Sequence, residues 1–213
     1  MNKSRLEHDS MGTIEVPEEA LWGAQTQRSL QNFAISSERM PIKIIHALAQ
    51  IKKAAAIANK KLGVLDDSKH ALIIEASNEI AQGLHDNQFP LSVWQTGSGT
   101  QTNMNINEVI SNLASKLKNE PLGSQKLVHP NDHVNKSQST NDVFPTAMHI
   151  AIALKTKNVL LPSLNLLNKE LKIKVQKFKK IVKIGRTHLQ DATPLSLGQE
   201  FSGYQSQLEK CID

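Results

Sequence analysis

The sequence predicts an all-α chain with an irregular N-terminal part. Three observations carry this expectation. Apolar residues recur at three- and four-residue spacing over five segments, the signature of helices with one buried face. Alternating, strand-like runs are almost absent. Hydrophobic residues make up 39% of the 213 residues, with only 8 Pro and 10 Gly, which fits a folded helix-rich protein. No internal repeat and no low-complexity segment interrupts this pattern.

Residues 1–40 read as irregular. Ile14 and Val16 alternate like a short strand that Pro17 stops, and Arg28 reads as one side of a surface salt bridge. Residues 41–62 read as a helix, with Pro41 in its first turn and Gly63 as its stop. Its apolar face is Ile44, Leu48, Ile51, Ala55 and Ala58, and His46 on it reads as structural. A second helix is expected over 68–82, with Asp67 as N-cap and Leu72, Ala76 and Ile80 inward. A loop over 83–101 leads to a third helix over 102–118, with Ile106, Ile110 and Leu113 inward. Residues 119–140 read as a polar loop. A long helical pattern then runs over 141–184, with Pro145 in its first turn and a kink or split near 160 from Pro162. Residues 185–194 read as a loop, and a last helix begins near 195. Its pattern reaches the chain end without a glycine stop, which reads as a fragment or truncated product.

Composition limits the function classes. No run of about 18 apolar residues occurs, so no membrane-spanning helix is expected. The start MNKSRLEHDS has no apolar core and carries acids early, unlike a secretory or organellar signal. The single cysteine, Cys211, suits a reducing compartment, and a cytoplasmic location is expected. The net charge of +5 is local: residues 169–186 hold eight Lys/Arg against one acid. A basic stripe can bind nucleic acid, but this one lacks aromatic or Gly-rich interleaving and reads as a solvated helix face.

Three polar clusters can carry chemistry. The first, WQTGSGTQTNMNINEV at 94–109, packs small neutral hydrogen-bonding groups at a helix start and has Glu108 as its sole charge. It matches neither G-x-S-x-G, nor G-x-G-x-x-G, nor a phosphate loop, and reads as a cradle of neutral donors for a small carboxylate. The second, VHPNDHVNKSQSTND at 128–142, holds His129 and His133 four apart, but Pro130 argues against a shared helix face and hence against a metal site. Thr140 can cap the helix entered at Asn141, and Ser139, Thr140 and Asn141 offer further donors. The third, GRTHLQDATP at 185–194, carries His188, suited to proton transfer near neutrality. Asp191 is its possible orienting partner or a helix cap. Three polar loops at helix ends point to one composite site.

Together these clusters resemble the aspartase/fumarase superfamily of lyases, and more closely class II fumarases. The resemblance rests on TGSGTQTNMNINEV at 96–109, VHPNDHVNKSQSTND at 128–142 and GRTHLQDATPLSLGQEFSGY at 185–204, with support from GTIEVPEEALWGAQTQRS at 12–29. It implies a lyase N-terminal domain over 1–137 and the beginning of a central helical-bundle domain over 138–213. It implies reversible anti addition of water to fumarate, giving (S)-malate in the tricarboxylic acid cycle, without a metal or organic cofactor. It also implies a homotetramer, with each active site drawn from three subunits, and no nucleic-acid or membrane partner. Residue by residue, Ser98, Gly99 and Thr100 would hold one substrate carboxylate, with Ser139, Thr140 and Asn141 joining from the second loop. Thr187 would bind substrate beside His188, the acid/base acting on the water or hydroxyl oxygen. His129, Pro130, Asn131 and Asp132 match a secondary dicarboxylate site.

The sequence departs from the family pattern in places. Thr140 stands where many fumarases have Ser, which keeps the hydroxyl. Lys126 stands where Arg is often found near the secondary site, which puts fork-like carboxylate contact in doubt. The flexible serine loop, G-S-S-x-M-P-x-K-x-N-P, that supplies the family's catalytic base does not occur in these residues. Aspartate ammonia-lyase is the competing activity. His188, where that enzyme typically has Gln, and the wording TGSGTQ favour fumarase. A non-catalytic helical fragment is the remaining alternative.

Overall fold

The computed structural model describes residues 3–123 and 127–212. They fall into two compact units, residues 1–151 and 152–213. Lys126 lies outside the described residues.

The first unit opens with an antiparallel hairpin of β1 (Ser4–Asp9) and β2 (Gly12–Pro17), paired from Ser4↔Pro17 to Asp9↔Gly12. The strand around Ile14 and Val16 is present and ends at Pro17 as expected. Its partner strand carries no alternating signal because SRLEHD is nearly all polar. Arg28 forks onto Asp9, with Nε 2.9 Å from Oδ2 and Nη2 3.1 Å from Oδ1, and also donates to Gly12 O. The expected salt bridge is thus a clamp on the hairpin. Burial pulls the Asp9 carboxyl up, but the Arg28 guanidinium wins and holds it below its usual value.

Helix α1 (Ala24–Asn32) lies in the stretch read as irregular. Gly23 at its N-cap has no side chain, and the cap comes from Glu108, far along the chain. The Glu108 carboxylate accepts from Gly23 N at 2.9 Å, Gln25 N at 2.8 Å, Thr26 N at 3.1 Å and Thr26 Oγ1 at 2.6 Å. A carboxylate there satisfies orphan N–H groups and meets the positive end of the helix dipole.

Helices α2 (Ile42–Lys61) and α3 (Asp67–Ala81) match the expected spans to within a residue or two. Gly63, at φ 71°, closes α2 by donating to Lys60 O. The cap of α3 is Asp66, one residue before the expected Asp67, and accepts from Lys69 N at 2.9 Å. His46 is structural as read: its Nε2 lies 2.8 Å from Asp86 Oδ1. The expected face of α2 is corrected. The buried residues are Ile45, Ala47, Leu48, Ala49, Lys52, Ala56 and Asn59, a face turned by about one residue because Lys52 and Asn59 lie inside.

Helix α4 (Thr100–Leu117) starts two residues earlier than expected and forms the centre of the unit. From Thr102 to Ser115 every residue except Met104 is buried. Ile106, Ile110 and Leu113 pack as predicted with Ile45, Leu48, Ile73 and Ile80. Its buried amides serve the fold: Asn105 donates to Gln88 O at 3.1 Å and Asn112 to Leu21 O at 2.9 Å. Within the polar loop that follows, Pro130–Val134 form one π-helical turn.

The long helical pattern begins at Thr140 and runs 38 residues to Lys177. It comprises α5 (Thr140–Lys155), a π-helical turn over Thr156–Leu160, and α6 (Leu161–Lys177). The break expected near 160 is absorbed by that widened turn just before Pro162. Ile152, Leu154, Val159, Leu160, Leu166 and Leu167 are exposed. One 18-residue window of this helix has a mean hydropathy of 1.2. By length and composition alone it could cross a membrane, contrary to the reading from unbroken apolar runs. Interspersed Lys, Thr and Asn shorten those runs without lowering the average enough.

In the second unit, α6 pairs with α7 (Leu197–Ile212), and between them lies an antiparallel hairpin, β3 (Val182–Thr187) and β4 (Gln190–Ser196). Phe178 meets Phe201 edge-on at 5.3 Å, and Phe201 meets Tyr204 at 5.9 Å. The helix expected up to 184 and the loop over 185–194 are corrected to this hairpin. The basic stripe at 169–186 is therefore not one helix face but spans the end of α6, a turn and β3. Two of its lysines pair with acids of α7: Lys172 with Glu209 at 2.6 Å, and Lys183 with Glu200.

Candidate active site

The first two clusters meet within the first unit. Gly99 is the N-cap of α4, in the left-handed conformation at φ 72°. A Cβ there would run into the ring of Phe144 on α5, so the close approach requires glycine. Ser98 and Thr100 flank it, exposed, with their hydroxyls 2.9 Å apart. The start of α4 is partly capped by Gln95, whose Oε1 accepts from Thr102 N at 2.9 Å and Thr102 Oγ1 at 3.0 Å. The N–H groups of Thr100 and Gln101 have no acceptor among the described residues. They belong to the positive end of α4, which favours an anion.

The second cluster supplies the start of α5. Ser139, not Thr140, is its cap: Ser139 Oγ accepts from Asn141 N at 3.3 Å, and Ser139 O from Val143 N at 3.0 Å. Thr140 instead faces α4 and accepts from Asn103 Nδ2 at 2.9 Å. Gly99 against Phe144 and Asn103 against Thr140 set the two helix starts side by side. Ser98, Gly99, Thr100, Ser139, Thr140 and Asn141 thus share one corner of the unit, next to Asp142 in the first turn of α5. Of the donors expected from the first stretch, Asn103, Asn105 and Asn107 are buried and turned inward, which leaves Ser98, Thr100 and the helix N–H groups for a ligand.

Gly99→Ala is expected to cost about 2–4 kcal/mol, from the left-handed backbone and the overpacked ring together. The denaturation midpoint of the full-length protein measures it. An unchanged midpoint would show that the fit against Phe144 is loose.

His129, Pro130 and Asn131 line a cavity of about 480 Å³ that is also walled by Glu7, Asp9 and Glu108. Each of these three carboxylates is already engaged: Glu7 by Arg5, Asp9 by Arg28 and Glu108 by the start of α1. Asp132 lies beside His129, with its N–H donating to His129 Nδ1 at 3.2 Å. His133 Nδ1 accepts from His129 N at 2.8 Å, and burial pushes this imidazole below its usual pKa. Both rings are thus tied into their own turn.

Thr187 and His188 lie in the second unit, at the tip of the β3–β4 hairpin. Thr187 pairs with Gln190 across a two-residue turn of His188 and Leu189, whose φ values are 50° and 61°. Two consecutive left-handed residues make the mirror-image turn that matches strand twist, normally occupied by Asn and Gly. His and Leu there are strained, and the imidazole is exposed. Asp191 neither orients His188 nor caps a helix. It stands opposite Arg186 on β4, with the two charged groups 3.7 Å apart.

Lys52 escaped the sequence reading. It is wholly buried, and its Nζ donates to Asn103 Oδ1, Asn135 Oδ1 and Gln138 Oε1. A signal was available, since Lys52 lies four residues after Leu48 and four before Ala56 on one helix face.

A sequence model described as lyase matches residues 12–213. The class II fumarate hydratase of Prochlorococcus marinus (strain MIT 9313) is 64% identical over 204 residues, 96% of this chain and 44% of that protein. That of Nitrosomonas europaea is 61% identical over 209 residues, 98% of this chain and 45% of that protein. The crystal structure of the class II fumarase from Schistosoma mansoni superposes with a TM-score of 0.94 at 52% identity, covering 99% of this chain and 44% of that one. The chain thus spans less than half the length of these relatives and is similar to their N-terminal portion. By the match over residues 12–213, the chain belongs to the lyase family.

Proposed function

We propose that residues 1–213 form the N-terminal part of a fumarate hydratase, a lyase that adds water reversibly to fumarate to give (S)-malate in the tricarboxylic acid cycle. The observation that carries this reading is the paired starts of α4 and α5, which present the Ser98, Thr100 and Ser139 hydroxyls beside the free N–H groups of α4, with Asp142 in the first turn of α5 as the one acid of the two helix starts. The similarity to class II fumarate hydratases adds to it.

The chemistry explains the residue types. Removing the proton next to a carboxylate of malate builds charge on that carboxylate. Fixed neutral donors at Ser98, Gly99, Thr100, Ser139, Thr140 and Asn141 stabilise the charge as it develops, and one such donor is worth about 3–4 kcal/mol. Neutral donors also leave the ground state less tightly held than a cation would. Thr187 binds substrate, and His188 moves the proton on the water or hydroxyl oxygen. The partner base lies outside these residues, and no cofactor is needed. His129, Pro130, Asn131 and Asp132 form a secondary dicarboxylate site.

The enzyme is a cytoplasmic homotetramer, with residues 138–213 beginning its central bundle and each active site shared between subunits. The exposed apolar face of α5 and α6 supports this, since a face of that size needs a cover. Lys155, Lys157, Asn158 and Asn165 along the same helix favour other copies of the chain over lipid as that cover.

The test is fumarate consumption by the full-length protein with and without ammonia. Ammonia-independent conversion to malate is expected. Loss of fumarate only with ammonia, with aspartate formed, would assign aspartate ammonia-lyase instead. No turnover in either case would favour a non-catalytic role.

A further inference from the structure

Lys52 has no part in the reaction as described above, yet it ties the start of α4 to the turn that precedes α5. Its Nζ donates to Asn103 Oδ1 at 2.8 Å, Asn135 Oδ1 at 2.9 Å and Gln138 Oε1 at 3.0 Å. An ammonium has three donors and no acceptor, so its capacity is filled. Because it can only donate, it forces each amide to turn its oxygen inward and its NH2 group away. Asn103 Nδ2 then donates to Asn135 Oδ1 at 3.1 Å and to Thr140 Oγ1 at 2.9 Å. Asn135 Nδ2 donates to Gln138 O at 3.2 Å, and Gln138 Nε2 to Val134 O at 2.8 Å. Every member of the network is satisfied, which makes it rigid.

The consequence falls on one proton. The Thr140 oxygen is occupied as an acceptor from Asn103, so its own hydrogen must donate elsewhere. We propose that Lys52 is a positioning residue that, through Asn103, aims the Thr140 hydroxyl proton at the substrate carboxylate. This rests on the reading of Thr140 as a substrate-binding residue. Burial pushes the Lys52 ammonium down to about 7, while its three oxygen acceptors favour the charged form against that burial. The ammonium also polarises Asn103, which strengthens the bond from Nδ2 to Thr140.

A double-mutant cycle in the full-length enzyme tests the proposal. Lys52→Met is expected to raise KM for fumarate about tenfold, with a smaller effect on kcat, roughly the loss of one oriented hydrogen bond. In a Thr140→Val background the same substitution should change KM less than about twofold. Equal changes in both backgrounds would mean a merely structural lysine and overturn the proposal. Should Lys52→Met not fold, Asn103→Asp serves. It keeps an acceptor for Lys52, removes the NH2 donor and draws the Thr140 hydrogen inward. It should raise KM similarly, and only while Thr140 is present; a wild-type KM overturns the proposal. Active enzyme with a wild-type KM in Thr140→Val would instead remove Thr140 from substrate binding, and the proposal with it. Absence of fumarate turnover in the wild-type enzyme would fail the functional reading itself.

Discussion

His188→Asn in the full-length protein is expected to lower kcat for fumarate hydration by about 10²–10⁴-fold, the usual worth of a positioned acid/base, with the fold intact. The turn geometry makes this substitution informative. His188 has a φ of 50° and Leu189 a φ of 61° at the tip of the β3–β4 hairpin. Asn tolerates the left-handed region better than His, so the replacement relieves the backbone while removing the imidazole. A fall in kcat can therefore be assigned to the ring and not to a collapsed hairpin. Steady-state kinetics, with circular dichroism on the same sample, measure both sides. Near-normal turnover would remove His188 from the proton transfer. The strain has a physical reading of its own: a two-residue turn projects its first side chain outward on two paired strands, and the imidazole is exposed there.

Glu108→Gln is expected to destabilise the first unit by about 3 kcal/mol. The carboxylate accepts four hydrogen bonds from Gly23, Gln25 and Thr26 while 3% exposed. Glutamine keeps the shape, but turns an NH2 group toward N–H donors and leaves some of them buried without an acceptor, at about 1–3 kcal/mol each. For a unit of this size the thermal midpoint should fall by roughly 6–12 °C. Amide exchange should rise first over residues 24–32, because α1 has lost its cap. An unchanged midpoint and unchanged exchange there would refute the role. The same carboxylate lines the cavity beside His129, so its first duty is to fix the wall of that cavity.

The helices of the first unit were legible because their signals are local. Pro41 and Gly63 bracket α2, an aspartate caps α3, and Ile106, Ile110 and Leu113 mark the inner face of α4. What escaped depended on partners far along the chain. Helix α1 has no cap of its own and takes one from a residue more than eighty positions away. The face of α2 was misplaced because apolar spacing cannot register a lysine that is buried with three amide oxygens around it. The β3–β4 hairpin was hidden because its turn uses His-Leu where the usual signal is Asn-Gly.

The candidate site divides in the same way. The types and order of the residues proposed to meet substrate, Ser98 to Thr100 and Ser139 to Asn141 in the first unit and Thr187 with His188 in the second, lie in three polar stretches readable from the sequence. So does the resemblance to fumarases. Tertiary structure alone decided which of those groups can meet a ligand. It turned Asn103, Asn105 and Asn107 inward, made Ser139 the cap and Thr140 the neighbour of Asn103, and left the hydroxyls of Ser98 and Thr100 outside. The physical reason is that spacing along a chain fixes which side chains share a helix face. Only the packing of one helix start against another, here Gly99 against Phe144, fixes which hydrogen-bonding groups the fold consumes and which it leaves for a substrate.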